Sequence, residues 1–139
     1  MDTLSVTERS ERMALIRSRD TKPEMIVRKA AWRLGYRYRL HVKQLPGCPD
    51  LVFRSAKAVI FVHGCFWHRH RRCPLARLPK SKLEFWVPKL ELNCIRDRKN
   101  IRSVRRAGWR VCVIWECETK LPSLIERKLV TFLSTHEER

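Results

Sequence analysis

The chain reads as an α/β domain, a mixed β-sheet with helices on both faces. Three observations predict this class. Apolar residues recur at helical spacing in three stretches, and short continuous apolar runs lie between them. The elements follow the order helix, three strands, helix, strand, helix, which suits a mixed sheet covered on both sides. At 139 residues the chain can fill one core but not two, so residues 1–139 are expected to form a single domain.

Residues 1–6 carry no periodic pattern and are expected to be disordered, and Thr7 to Ile16 predicts a short helix with Met13 and Ile16 on one side. Thr21 followed by Glu24 has the spacing of a capping box, with Pro23 in the first turn, where its missing N–H costs little. Val27, Ala30, Ala31 and Leu34 follow helical spacing, and Gly35 is placed to end the helix. Tyr36, Tyr38, Leu40 and Val42 alternate with polar residues, the pattern of a half-buried strand. A turn over 45–49 leads to two apolar strands, Asp50 to Phe53 and Ala58 to Val62, whose unbroken hydrophobicity predicts central positions. Residues 64–80, rich in His, Cys, Arg and Pro, have no usable period and predict an irregular loop that needs a staple or a function. Ser81 and Glu84 form a second capping box, opening a helix that Pro88 is expected to kink or divide. Leu90, Cys94, Ile101 and Val104 continue its buried stripe to Gly108. Trp109 to Trp115 predicts the next strand, and Leu124, Ile125, Leu129, Phe132 and Leu133 predict a closing helix.

Charge narrows the function. Thirty-one Lys plus Arg against 14 acidic residues give a net charge of +17 and a pI near 10.6. A folded domain tolerates such self-repulsion best when its working partner is a polyanion, and here the basic residues lie among aromatics rather than in a tail, which points to nucleic acid. No apolar stretch approaches the ~20 residues that span a bilayer, and the N-terminus lacks a signal-peptide pattern. The chain is therefore expected in the cytoplasm, with its six cysteines serving as thiols or metal ligands rather than disulfides.

Four sets of residues carry candidate chemistry. Cys65, His70 and Cys73 have metal-ligand spacing, and Cys117 is placed to complete them because it ends the last strand on the edge where Cys65 follows its own. A closed Cys3His set would hold structural zinc and staple the loop; the alternative is that these cysteines are small hydrophobes. Asp50, after Pro49 at a strand start, suits Mg2+ bound to a scissile phosphate, although a lone Asp after Pro is more often a turn residue. His63 and His68 follow the neighbouring strand, where an imidazole could take a proton from water; Glu24 could orient one of them. Adjacent Phe66 and Trp67 would point apart in an extended backbone, so they read as wedges or stacking platforms for bases, with packing on the loop as the alternative. Together these groups are what a metal-dependent phosphodiesterase needs.

Ser18 to Glu24, Leu45-Pro46-Gly47 with Pro49-Asp50, Phe61 to His68, Glu84-Phe85-Trp86, and Gly108 to Val111 with Trp115 to Cys117 resemble the very-short-patch-repair (Vsr) DNA mismatch endonucleases, collinearly from about Met13 to Cys117. The resemblance implies a restriction-endonuclease-like fold with a structural zinc site. It also implies a Mg2+-dependent nick in one strand of duplex DNA, 5′ to the thymine of a T:G mismatch arising from deaminated 5-methylcytosine. By that resemblance Asp50 and the backbone carbonyl of Val62 hold Mg2+, and His68 is the general base, supported by Glu24, with His63 beside the phosphate. Cys65, His70, Cys73 and Cys117 would ligate Zn2+. Phe66, Trp67 and Trp86 would form the DNA wedge with Met13 entering from the opposite groove, while Lys89 and Asn93 would read the mismatch. A repair DNA polymerase and general mismatch-repair proteins are implied as partners, a bacterial nucleoid as the location, and a monomer as the working form. Cys48 and Pro88 depart from the family's pattern. The rival expectations are a zinc-stapled DNA-binding protein without catalysis, and a related nuclease with another lesion or sequence preference.

Overall fold

The computed structural model describes residues 20–137, with side chains through Ser134. The expectations for residues 1–6, the helix over 7–16 and Met13 lie outside the described residues. Helix α1 (Lys22–Arg33) starts where the cap predicts. The Thr21 hydroxyl accepts from Glu24 N at 3.4 Å, and Glu24 Oε2 accepts in return from Asp20 N at 3.0 Å, one residue earlier than an ideal box. Gly35 follows at φ +93°, the left-handed region that favours glycine. Leu34, expected on the buried face, is instead the 37%-exposed residue that caps the helix.

Four strands form a mixed sheet in the order β1 (Arg39–Leu40), β2 (Leu51–Phe53), β3 (Ala58–His63), β4 (Arg110–Trp115). The first two pairings are antiparallel and β3–β4 is parallel, with His63 opposite Trp115. Every residue of β2 and β3 is buried, as their continuous apolar character predicts. The strand predicted over 36–42 shrinks to two paired residues. His41 adopts φ +46°, which breaks the extended run and reverses the side-chain alternation: Tyr36 and Tyr38 pack on one face of the sheet, Val42 on the other.

That alternation sorts the core. Ala58, Ile60 and Val62 face α1 and the closing helix α3 (Pro122–Glu137), among Val27, Ala31, Ile125, Leu129 and Leu133. Val59 and Phe61 face helix α2 (Leu83–Arg106), against Val104 and Ile101. By the same parity His63, and Asp50 one step before β2, turn toward α2.

Helix α2 corrects two expectations. Its N-cap is Lys82 in the left-handed region at φ 58°, without a side-chain cap bond, so the Ser81–Glu84 box does not form. The helix also runs undivided through Pro88, so of the two expected outcomes, kink or division, the division does not occur. Pro88 in the second turn and Glu84 in the first, whose carbonyl loses its partner, are both exposed, so water can satisfy that oxygen. Trp86 and Leu90 keep their buried face. No helix among the described residues is long and apolar enough to cross a membrane.

Candidate active site

The loop after β3 turns back at once. His68 N donates to Gly64 O at 3.1 Å and His70 N to Cys65 O at 2.9 Å, so residues 65–69 are compact turns rather than extended chain. This fold stacks the His68 ring on His63, with centroids 3.8 Å apart and planes 6° apart. Helix α2 then pins the loop from the other side. Asn93 Nδ2 donates to Trp67 O at 3.2 Å, Cys94 Sγ lies 3.6 Å from His68 O, and Asp97 Oδ2 meets His68 Nδ1 at 2.5 Å. Positions 93, 94 and 97 share one helix face, so a single helical register sets both the backbone and the ring of His68.

Asp50 stands across the cleft. Its Oδ2 accepts from Val62 N at 2.6 Å, a bond that spans β2 and β3 one step past their last pair. Burial pushes its carboxyl up to about 7; Glu24 adds to the rise, while the Val62 N–H and Arg28 oppose it. Burial, followed by the charge of His68, drives His63 down to about 3 despite Asp97. His63 is therefore neutral at working pH. Glu24, His41, Asp50, His63, His68 and Asp97 line one cavity of about 380 Å³.

The sequence expectation made Glu24 the support of His68. In the structure Asp97 holds the His68 ring, and Glu24 is engaged elsewhere: Arg28 lies 3.0 Å from its Oε2 and His41 Nε2 3.3 Å. Asp97, His41 and Arg28 were all missed. Asp97 sits among Arg96, Arg98 and Lys99 and reads as part of a solvated face, yet it lies three residues after Cys94 and four before Ile101 on the buried stripe, and that spacing was a usable signal.

On the far side of the loop the predicted metal ligands meet. Cys65, His70, Cys73 and Cys117 each place a ligand atom within 4.8 Å of the others, so they could hold a metal ion. His70 Nδ1 is 3.6 Å from Cys65 Sγ and 3.4 Å from Cys117 Sγ, and its ring stacks on Trp115 at 4.1 Å. Glu116 Oε1 accepts from Cys65 N at 3.1 Å, tying the loop to the end of β4. Burial, followed by contacts with the neighbouring thiols, pushes the Cys65 thiol up to about 12. A cation among the sulfurs would reverse that penalty.

The aromatic residues gather rather than diverge. Phe66, Trp67 and Trp86 lie with ring centroids 5.1 to 5.8 Å apart. The expected divergence assumed extended backbone, and the turns over 65–69 remove that premise. Phe66 and Trp67 stay half-buried, Trp86 is 9% exposed, and Phe85 beside it is 50% exposed with Lys89 Nζ 5.3 Å from its ring.

With the site assembled, its likeness to known proteins is specific. The profile of the family described as DNA mismatch endonuclease Vsr matches residues 1–74. The chain belongs to the Vsr family. Its relatives extend the match past residue 74. The type II nicking enzyme V.XorIIP of Xanthomonas oryzae pv. oryzae is 46% identical over 132 residues, 95% of this chain and 96% of the relative. V.NmeAIP of Neisseria meningitidis, also named a type II nicking enzyme, is 41% identical over 128 residues, 92% of this chain and 91% of the relative. The DNA mismatch endonuclease Vsr of Escherichia coli is 41% identical over 109 residues, 78% of this chain and 69% of the relative. Membership makes this Vsr-family chain a DNA endonuclease.

Proposed function

We propose that this chain nicks one strand of duplex DNA 5′ to the thymine of a T:G mismatch, in a Mg2+-dependent reaction that initiates very short patch repair. The observation that carries the reading is the meeting of Asp50, His68 and Asp97 around one cleft beside an aromatic cluster.

The chain's own groups divide the work. Asp97, accepting from His68 Nδ1, leaves Nε2 of that ring with a lone pair for the proton of an attacking water. His63 beneath it stays neutral, so it neither competes for the proton nor adds a charge that would make His68 less basic. Asp50 has one oxygen committed to Val62 N and the other facing the cleft, where with the Val62 carbonyl it would hold the cation. The fit is chemical: a carboxylate this buried needs a positive partner to stay ionised at neutral pH. When bound, Mg2+ neutralises charge developing on the scissile phosphate. Glu24 closes the carboxylate end of the cleft, held by Arg28 and His41.

Selectivity is assigned to the aromatic cluster. Phe66, Trp67 and Trp86 would enter the stack beside a wobble pair, which opens at less cost than a Watson–Crick step. Asn93 braces Trp67, and Lys89 holds its ammonium over the ring of Phe85, which packs on Trp86. Arg98, Arg102, Arg105 and Arg106 are exposed along α2, line a groove next to the cleft, and supply charge for the phosphates.

Zn2+ is proposed for the Cys/His cluster. With Zn–S of about 2.3 Å and Zn–N of about 2.0–2.1 Å, tetrahedral ligation puts sulfur and nitrogen about 3.6 Å apart. The two sulfur–nitrogen separations at His70 are 3.6 and 3.4 Å. All four positions are then taken by protein, so this ion is structural.

The wider reading is a restriction-endonuclease-like monomer of the bacterial cytoplasm, acting with a repair DNA polymerase and general mismatch-repair proteins. Names of relatives as type II nicking enzymes favour a required flanking sequence tied to a restriction system. The test is to incubate the chain and Mg2+ with end-labelled duplexes that are matched, carry T:G, or carry other mismatches, in several flanking contexts. A nick confined to T:G supports the proposal, equal cutting of matched DNA removes mismatch specificity, and binding without cutting returns the zinc-stapled DNA-binding protein.

A further inference from the structure

The ends of β3 and β4 carry more than the ligands that follow them. His63 closes β3 opposite Trp115, the last residue of β4. Two residues further along each chain, Cys65 and Cys117 meet, with Cys117 N 3.4 Å from Cys65 Sγ. One strand register therefore places two rings and two candidate ligands side by side.

Those rings belong to a column of four. His70 lies flat on Trp115, with centroids 4.1 Å apart and planes 9° apart. Trp115 meets His63 edge to face, at 5.2 Å and 76°. His63 in turn lies flat on His68, at 3.8 Å and 6°. Stacked and edge-on contacts of this kind are the arrangements that aromatic pairs prefer. A ligand of the Cys/His cluster is thus joined to the candidate base by two rings that ligate nothing themselves.

The column answers a need of the base, which must present its free nitrogen in one direction. Asp97 holds His68 at Nδ1, but the χ2 torsion of histidine is broad and hydrogen-bond angles are tolerant, so a flat neighbour is needed to fix the tilt of the ring. His63 is that neighbour. It is braced by Phe61 at 5.9 Å and by Trp115 at 5.2 Å, while His63, His68, His70 and Trp115 all line a cavity of about 540 Å³. With open space on that side, the rings lean on one another more than on surrounding packing. Trp115 leans on His70, whose Nδ1 stands 3.6 and 3.4 Å from the sulfurs of Cys65 and Cys117. Ligation there would lock the orientation of His70.

We infer that Trp115 is a positioning residue for the reaction: through His63 it passes the orientation set at His70 on to His68, so that the metal cluster governs the tilt of the general base. The ion remains structural and takes no part in the chemistry. This role rests on the readings of His68 as the base and of the cluster as a zinc site.

The test exchanges the ion and watches the base. Full-length chain labelled with 13C and 15N at histidine is loaded with Zn2+ or with Cd2+, a larger ion that thiolate ligands also hold. At one fixed pH, the Cε1–Hε1 resonance of His68 reports its stacking on His63, because a ring lying over that proton shifts it. Single-turnover nicking of a T:G duplex with Mg2+ gives the saturating rate and the half-saturating concentration. In the wild type, Cd2+ should move the His68 resonance and lower the saturating rate without changing half-saturation. Trp115→Leu should keep one zinc, move the His68 resonance with Zn2+ in place, and slow the saturating rate by on the order of 10-fold. On that background the exchange of ions should change neither reading further. Trp115→Phe, which keeps a ring between the imidazoles, should retain most of the rate.

A zinc-loaded Trp115→Leu chain with the wild-type His68 resonance overturns the proposal. So does a wild type whose His68 resonance ignores the ion, or an ion effect of equal size in both chains, which would assign the coupling to the loop backbone. Should Trp115→Leu lose its zinc or its fold, Trp115→Phe decides: a smaller ion effect than in the wild type supports the proposal, and one as large overturns it. A chain purified without zinc removes the cluster reading, and His68→Ala cutting at the wild-type rate removes the base reading; either takes this role with it. A chain that cuts another duplex instead of T:G loses only the substrate reading, and the same measurements on that duplex decide.

Discussion

Two groups of ionisable side chains gather on either side of the loop after β3 and meet opposite fates. Cys65, His70, Cys73 and Cys117 converge until their ligand atoms lie within 4.8 Å of one another, four protein donors around one centre. His63, His68 and Asp97 also bring ligand atoms within 4.8 Å of one another, but Asp50 stands across the cleft from them, and about 380 Å³ stays open between them and their neighbours. Both groups bury charge-bearing atoms against their preference: burial raises the Cys65 thiol to about 12 and the Asp50 carboxyl to about 7. The difference is saturation. A cluster that satisfies an ion completely can only hold the chain together, whereas one that satisfies it partly keeps coordination free for a phosphate.

This contrast breaks first at the closed cluster, where the largest effect is expected. Cys65→Ser should release the metal and lower Tm and nicking together, because metal ligation there contributes directly to folding. Metal analysis after EDTA treatment checks the same point: one zinc per chain should survive the loss of Mg2+, and a zinc-free, fully stable protein would refute the staple. Next, Asp50→Ala should abolish nicking while DNA binding and Tm remain, seen by gel shift and calorimetry on one preparation; a variant that still cuts would remove the metal assignment. His68→Ala should cost on the order of 10²–10⁴ in rate. Asp97→Asn preserves shape but favours the wrong tautomer of His68, and about a 10²-fold loss in single-turnover rate is expected; an unchanged rate would return the supporting role to Glu24.

The smallest effect is a pH dependence. Without metal the Asp50 carboxyl is protonated below about 7, so protons and Mg2+ compete for it. The Mg2+ concentration giving half-maximal nicking should rise by about tenfold per unit as pH falls below that value, and level off above it. For the metal-free fold the sign is opposite. The unfolded carboxyl ionises first, near 3.8, so this group withdraws stability as pH rises from there to about 7. Thermal melts with and without Mg2+ across that window would show it.

Some of this was legible in one dimension. The Thr21 cap, the paired apolar strands and the order of elements follow from local spacing, and so does the gathering of the Cys/His ligands, because Cys65 and Cys117 each end one of two adjacent strands. Other features failed the same treatment. The Ser81 box and the long edge strand over 36–42 give way to left-handed backbone at Lys82 and His41, and the division allowed for at Pro88 does not occur. Phe66 and Trp67 were expected to diverge on the assumption of an extended chain that the turns do not keep.

What the chain alone determined is therefore the scaffold and the gathering of the Cys/His ligands, since hydrophobic period, capping and ligand spacing act over a few residues. What only the tertiary structure decided is which group serves which. Asp97 reaches His68 across 29 positions of sequence, and His41 meets Arg28 across 13. Among the basic residues, no local pattern marks Arg28 as a cation buried against two carboxylates and an imidazole. Electrostatic partnership depends on distance through space and on exclusion of water, and neither exists until the sheet and α2 have closed over the cleft.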